Sequence, residues 1–264
     1  MSEVKETRKF VLSRDEMIAA LFLCNYGEVA TDIINSERPF ESEEERTRFA
    51  DHTETLLKHR GYWDDDRETH LTQGLESFIH LLMKVGKRVR CVRGNSVLML
   101  HYVEGNEVII QTYKGMDHTF EMVSDADRRL EALHTFYEVP ELKEKPPLDA
   151  FIMEVEFFEM LHTITVEQLN VMIEQETYPD PILQFLKDFR ANHLVLDNIS
   201  FLRTEYAVKN KSDILEMHFV VESETFMWYI HYQELEEKKE ITVYPIHHRE
   251  FLGMIADGMN KWFK

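Results

Sequence analysis

Phe10-Val11-Leu12-Ser13-Arg14-Asp15-Glu16-Met17-Ile18 is the stretch whose reading divides this chain. It has a downstream counterpart in His162-Thr163-Ile164-Thr165-Val166-Glu167-Gln168-Leu169-Asn170. In each, a hydroxyl residue (Ser13, Thr165) stands three positions before Glu16 or Gln168. That is the spacing of a capping box, in which the hydroxyl and the N3 side chain satisfy two orphan amides reciprocally. Each box leads into apolar residues at helical spacing: Met17, Ile18, Leu21 and Phe22 in one case, Leu169, Met172 and Ile173 in the other.

Working outward from the first box, residues 1–9 are polar and Phe10 to Leu12 reads as a short strand. The helix opened by Ser13 runs to near Gly27. Ser36 to Glu45 is acidic and contains Pro39, so it reads as a loop. It leads into a helix carrying Phe49, Leu56 and Leu57, which Gly61 stops. Asp64, Asp65 and Asp66 precede a further helix with Leu71, Leu75, Phe78, Ile79 and Leu82 inward. Carboxylates in that place complement the helix dipole and cap free amides. At Gly86 the apolar period changes from about 3.6 to about 2. Arg88 to Val92, Val97 to Val103, Glu107 to Tyr113 and His118 to Val123 then read as strands. Gly94-Asn95, Glu104-Gly105-Asn106 and Lys114-Gly115-Met116-Asp117 are their turns, which makes an antiparallel meander. Ser124 opens a helix carrying Leu130, Leu133 and Phe136.

Pro140 to Pro147 is charged, proline-bearing and aperiodic, the best junction in the chain. It separates an N-terminal half, 1–139, from a C-terminal half, 148–264, within one compact unit. Leu148 to Leu161 suits a helix or a strand. Beyond the second box, Pro179 and Pro181 open a helix through Ile182, Phe185, Leu186 and Phe189. Ile199 to Val208, Ile214 to Val221, Thr225 to Tyr232 and Ile241 to Ile246 read as strands, with Lys209-Asn210-Lys211-Ser212-Asp213 as a hairpin loop. Pro245 cannot donate to a ladder and belongs at an edge or a strand end. The closing helix carries Phe251, Leu252, Ile255, Met259 and Trp262. The expected fold is α+β: two similar halves, each of helices, an antiparallel β-meander and a closing helix, quasi-twofold related. The second half is one helix shorter.

The composition restricts function. Over 264 residues, 44% hydrophobic and 11% aromatic content supports a substantial core. Forty-nine Asp and Glu against 30 Lys and Arg give a formal net charge of −19. Such a surface repels phosphate backbones and anionic lipid, disfavouring nucleic-acid and membrane roles, and attracts basic partners. Cys24 and Cys91 each lie in an apolar run, as small buried hydrophobes do. The start of the chain has no apolar signal region, and the longest apolar runs are too short to span a bilayer. A cytoplasmic location is expected.

Catalytic signatures are missing. There is no GxxxxGK[ST], GxGxxG, GxSxG, HExxH or EF-hand loop. Thirteen histidines, among them His101, His218, His231, His247 and His248, have no ligand spacing, so they read as core and surface residues ahead of a metal centre. Glu43-Glu44-Glu45 and Glu234, Glu236 and Glu237 read as solvated faces. Phe226-Met227-Trp228-Tyr229-Ile230 alternates aromatic and apolar residues on both faces, so that strand is covered twice within the protein or exposed to a partner. Thirteen methionines could equip a surface for several partners, although core filling is their usual use. No catalytic residue, cofactor, metal or small-molecule substrate is expected.

These patterns resemble the EspG-type chaperones of type VII secretion, including relatives in Gram-positive bacteria outside mycobacteria. Leu12-Ser13-Arg14-Asp15-Glu16-Met17 is similar to that family's strand-to-helix opening. Leu56-Leu57-Lys58-His59-Arg60-Gly61-Tyr62 is similar to its helix ending in Arg-Gly and a bulky residue. Arg88 to Val123 resembles its meander, and the second half resembles its quasi-twofold repetition. The resemblance implies a cytoplasmic protein without enzymatic activity that binds the helical tip of a secreted protein before export. It carries no contact residues onto this sequence. By analogy the partners would be helical secreted proteins of the WXG or LXG type.

Three functions compete on this reading: a secretion chaperone or adaptor, an immunity protein that binds a cognate toxin, and an enzyme whose carboxylates and histidines the fold assembles. The candidate partner-binding residues are the hairpin tips Lys114, Gly115, Met116 and Asp117, and Lys209, Asn210, Lys211, Ser212 and Asp213, because tips reach a partner without disturbing a core.

Overall fold

The computed structural model describes residues 9–37, 39–138, 148–175, 177–231 and 239–264. The elements follow in the order β1 (Lys9–Ser13), α1 (Arg14–Leu23), α2 (Gly27–Glu37), α3 (Glu43–His59), α4 (Gln73–Lys84), β2 (Lys87–Arg93), β3 (Ser96–Tyr102), β4 (Val108–Lys114), β5 (Asp117–Val123) and α5 (Ala126–Phe136). They continue with β6 (Phe151–Glu154), α6 (Val155–Leu161), α7 (Val166–Glu174), α8 (Asp180–Ala191), β7 (Asp197–Thr204), β8 (Ser212–Glu222), β9 (Met227–His231), β10 (Glu240–Ile246) and α9 (His248–Trp262). The fold is α+β, with an antiparallel sheet of strand order β1-β5-β4-β3-β2-β7-β8-β9-β10-β6. The order β1-β5-β4-β3-β2 recurs as β6-β10-β9-β8-β7. The two capping boxes, however, do not head matching helices. Ser13 caps the helix that directly follows β1, whereas the helix directly following β6 is α6, whose N-cap Glu154 makes no side-chain capping bond. Thr165 caps the next one, α7.

The chain divides into two compact units. One gathers the residues up to Arg88 with Met99–Ser124 and Arg203–Asp213; the other gathers Val89–Leu98, Asp125–Leu202 and Ile214 onward. The expected junction, Pro140 to Pro147, lies outside the described residues, as do Glu234, Glu236 and Glu237.

In the first unit, Ser13 ends β1 and begins α1. Its hydroxyl accepts the Glu16 amide at 3.2 Å while Glu16 Oε2 accepts the Ser13 amide at 2.7 Å. Glu16 is wholly buried, and its other oxygen lies 2.9 Å from Arg60 Nε. Arg60 also donates to the Val11 carbonyl at 3.1 Å, tying the end of α3 to β1. Leu12, Ile18, Leu21, Leu57, Leu71, Ile79, Leu82 and Phe120 form the core beneath. Each such side chain contributes roughly 1.5–3 kcal/mol on leaving water. Arg88, itself buried, donates to the Leu82 carbonyl at 2.6 Å and lies 4.6 Å from the Tyr206 ring. A cation there neutralises the negative end of α4. Burial lowers its pKa to about 10.

Three local expectations are corrected here. Gly27 opens α2 and does not end α1; α1 stops at Cys24, and Asn25 turns the chain at φ 66°. Asn tolerates that left-handed conformation, so a second helix starts almost at once. Asp64, Asp65 and Asp66 cap no helix. Asp64 accepts the Asp66 amide at 3.1 Å and Asp65 accepts Trp63 Nε1 at 2.8 Å, so these carboxylates close a turn, and the helix waits for Thr72. The N-cap of α5 is Asp125, whose side chain accepts the Asp127 amide, and not Ser124.

In the second unit, Leu148 to Leu161 proves to hold a strand and a helix in succession, β6 and α6. Phe226, Trp228 and Ile230 lie in a core with Phe158, Phe185 and Phe189. Tyr229, on the other face of the strand, lies 5.9 Å ring to ring from Phe251 of α9. The aromatic strand is thus covered on both faces. Pro245 pairs with Trp228 of β9, beyond Val243 where the pairing with β6 begins, so it occupies the strand end expected of it.

Asp197 gives this unit a pH response. Its Oδ1 accepts the amide of Gly94, which turns the β2–β3 hairpin at φ 51°. Burial pushes its pKa up from 3.8 to about 6, the Gly94 bond opposing and the nearby Glu222 adding. The folded state therefore keeps a proton that the unfolded chain releases between about pH 4 and pH 6. This stabilisation is full below pH 4 and lost as the pH rises through about 6. Asp197→Asn is expected to remove that loss. Relative to the wild type it should gain about 2 kcal/mol between pH 4 and pH 7, allowing for partial solvent access. Denaturant titrations at both pH values check this, and an unchanged difference would refute it.

Candidate partner-binding surface

The turn Lys114–Asp117 joins β4 to β5, with Lys114 opposite Asp117 in the register. Gly115 sits at φ 71°, where a side chain would be strained. Met116 is 54% exposed, and its carbonyl accepts the Arg14 amide at 2.6 Å, so this tip is tied to the start of α1. The second predicted segment follows β7, which ends at Thr204 and not at the expected Val208, and its last residues, Ser212 and Asp213, belong to β8 and not to the loop. Its Lys209 Nζ lies 2.6 Å from Glu205, and Lys211 Nζ lies 2.8 Å from Asp213. Asn210 bonds Asp32 of α2. Val208 beside it is 89% exposed. Both segments belong to the first unit, one docked on α1 and the other on α2. Lys209 and Lys211 carry partners, while Met116 and Val208 present apolar surface.

The same unit holds a feature the sequence did not announce. A groove of about 540 Å³ opens between α1, α2 and α3. Phe22, Ile34, Phe40, Phe49, Leu57 and Trp63 supply most of its apolar lining, and Thr31, Asn35, Arg46, Thr53 and Glu54 are its polar members. Phe22 recurs at helical spacing with the buried Met17, Ile18 and Leu21, yet it is 42% exposed in this groove. The available signal was the unbroken run Met17 to Leu23, too apolar for one buried face. Arg46 lies 3.4 Å from Glu43, and Lys58 Nζ lies 2.6 Å from Glu54 and 5.1 Å from the centre of the Trp63 ring.

The histidines do not converge. His101 Nε2 bonds Gln111 at 2.8 Å, and Gln111 bonds His118 at 2.8 Å. His218 bonds the Tyr229 hydroxyl at 2.9 Å and lies 3.0 Å from Glu216. His248 is buried at the start of α9. Among the described residues no group of three His, Cys, Asp or Glu is placed to hold a metal ion. Cys24 and Cys91 are free and buried, and burial raises their thiol pKa values to about 11 and about 12. Such thiols are poor nucleophiles. Among the described residues no helix is long and apolar enough to cross a membrane.

The family model described as uncharacterised protein YfjC matches residues 47–252. No curated protein matches the chain. Among solved structures, the chain is similar to the type VII secretion system chaperone EspG5 of Mycobacterium tuberculosis, determined in complex with a PE25–PPE41 dimer. The two are 9% identical, the match covers 97% of this chain and 95% of that one, and the TM-score is 0.55. At that identity the likeness establishes a shared fold.

Proposed function

The chain belongs to the YfjC family, and from that premise we propose that it is a cytoplasmic, non-enzymatic chaperone or adaptor for a helical protein exported by a type VII secretion system. The observation that carries the reading is the fold shared with a chaperone of such a system over nearly the whole of both chains. The buried state of both cysteines agrees with a binding role, as do the exposed apolar positions Met116 and Val208. WXG and LXG proteins are the proposed partner types. A division into halves 1–139 and 148–264 belongs to the same proposal, supported by the recurring strand order.

Co-expression with secreted proteins encoded near its gene tests the reading. A soluble complex is expected with one of them. No complex with any of them, together with a complex with an adjacent toxin, would replace the reading with an immunity function, which the charge of −19 also suits. The loops Lys114–Asp117 and Lys209–Asp213 are proposed contacts. Met116→Asp and Val208→Asp are expected to weaken the complex about tenfold each. The melting temperature should stay nearly unchanged, since both side chains are exposed. Full affinity in both variants would remove these loops from the interface.

A further inference from the structure

We propose that the groove between α1, α2 and α3 docks the apolar ridge of a cationic amphipathic helix on a partner protein. The inference rests on the reading of this protein as a binder of helical partners; it adds where such a helix lies and what charge it carries.

Shape and charge together select this occupant. The groove lies open along helices, and its floor is aromatic and aliphatic: Phe22, Ile34, Phe49, Leu57 and Trp63. Residues at i, i+3, i+4 and i+7 of an amphipathic helix form a ridge suited to such a trough. Two of the helices that form it are acidic in sequence. The sequences of α2 and α3 carry eight carboxylates, at 28, 32, 37, 43, 44, 45, 51 and 54, against three cations, Arg46, Arg48 and Lys58. Two of those cations already lie beside carboxylates, Arg46 by Glu43 and Lys58 by Glu54. An anionic lipid or fatty acid approaching these two helices meets an excess of carboxylates, whereas lysines or arginines flanking an apolar ridge meet attraction.

The test uses the full-length protein and a fluorescein-labelled helical peptide of leucine and lysine, roughly five turns long, with leucine at i, i+3, i+4 and i+7. Thr31 and Ala50 line the groove yet are exposed, so filling it there spares the core. The peptide is expected to bind, to weaken as salt rises, and to lose about tenfold or more in affinity to Thr31→Trp and Ala50→Trp. Ala50→Lys should weaken it as well, by repulsion, and a leucine–glutamate peptide should not bind. Thermal melting confirms that each variant is folded. Equal affinity in wild type and all three variants would overturn the proposal, since the peptide would then be held by acidic surface at large. A fluorescent long-chain fatty acid that binds and expels the peptide would overturn it in favour of a lipid site. The two readings fail separately. Peptide docking without any secreted-protein complex on co-expression leaves the groove standing and removes the secretion role. A secreted-protein complex indifferent to Ala50→Trp does the reverse.

Discussion

Trp228→Ala is expected to lower the unfolding free energy by about 4 kcal/mol, the largest loss predicted for any single change in this protein. Trp228 is fully buried, and its ring meets Phe151 at 5.6 Å, Phe185 at 5.9 Å and Phe226 at 5.0 Å between centroids. Truncation removes the transfer energy of the indole and leaves a cavity whose walls are rings held by other elements, so collapse is limited. A polar term adds to this. Trp228 Nε1 donates to Asp188 Oδ2 at 2.8 Å, and Asp188 also receives Gln184 Nε2 at 2.9 Å. Asp188→Leu is expected to cost about 1–3 kcal/mol, because it strands a buried N–H. Trp228→Phe and Asp188→Leu combined should cost less than the sum of the two, since the second change then strands no indole N–H. Denaturant unfolding of the four proteins measures this, and strict additivity would show that the bond contributes no coupling.

Glu16→Ala should follow at about 3 kcal/mol, while Gln168→Ala should cost under about 1 kcal/mol. The two residues occupy the same position of the same motif. Gln168 and Thr165 exchange their bonds at 2.9 and 3.3 Å on exposed surface, where water replaces a lost cap at little cost. Glu16 has no contact with solvent, and it holds the Ser13 amide and the Arg60 guanidinium together. Its removal leaves the half-buried Ser13 amide without an acceptor and a cation without its counter-charge. Arg60 keeps some access to water, which holds the loss below that of a fully buried pair. Comparable melting temperatures for the two alanine variants would disprove the distinction.

Most of the regular structure was legible because it is encoded at short range. The change of period at Gly86 and the Gly-bearing turns place β2 to β5 within a residue or two of where they lie. The alternation of Phe226 to Ile230 carries the twofold covering of β9. The helix α2 was not foreseen, because Asn25 at positive φ allows a restart that the acidic stretch after it hides. Asp64 to Asp66 carry the composition of a cap, but a side chain cannot tell which amide it will reach when a turn and a helix start lie close together.

The sequence alone determined the class of the fold, the places of β2 to β5 and both capping boxes, for these depend on backbone hydrogen bonding and apolar spacing within a few residues. It also carried none of the common phosphate-loop, nucleophile-elbow or metal-ligand motifs. Tertiary structure decided what those local features are worth. Burial and Arg60 distinguish Glu16 from Gln168, although their motif is the same. Phe22, Phe49 and Trp63 come from separate elements, and no local pattern records that their side chains meet. The groove exists only because three helices pack with their gap open.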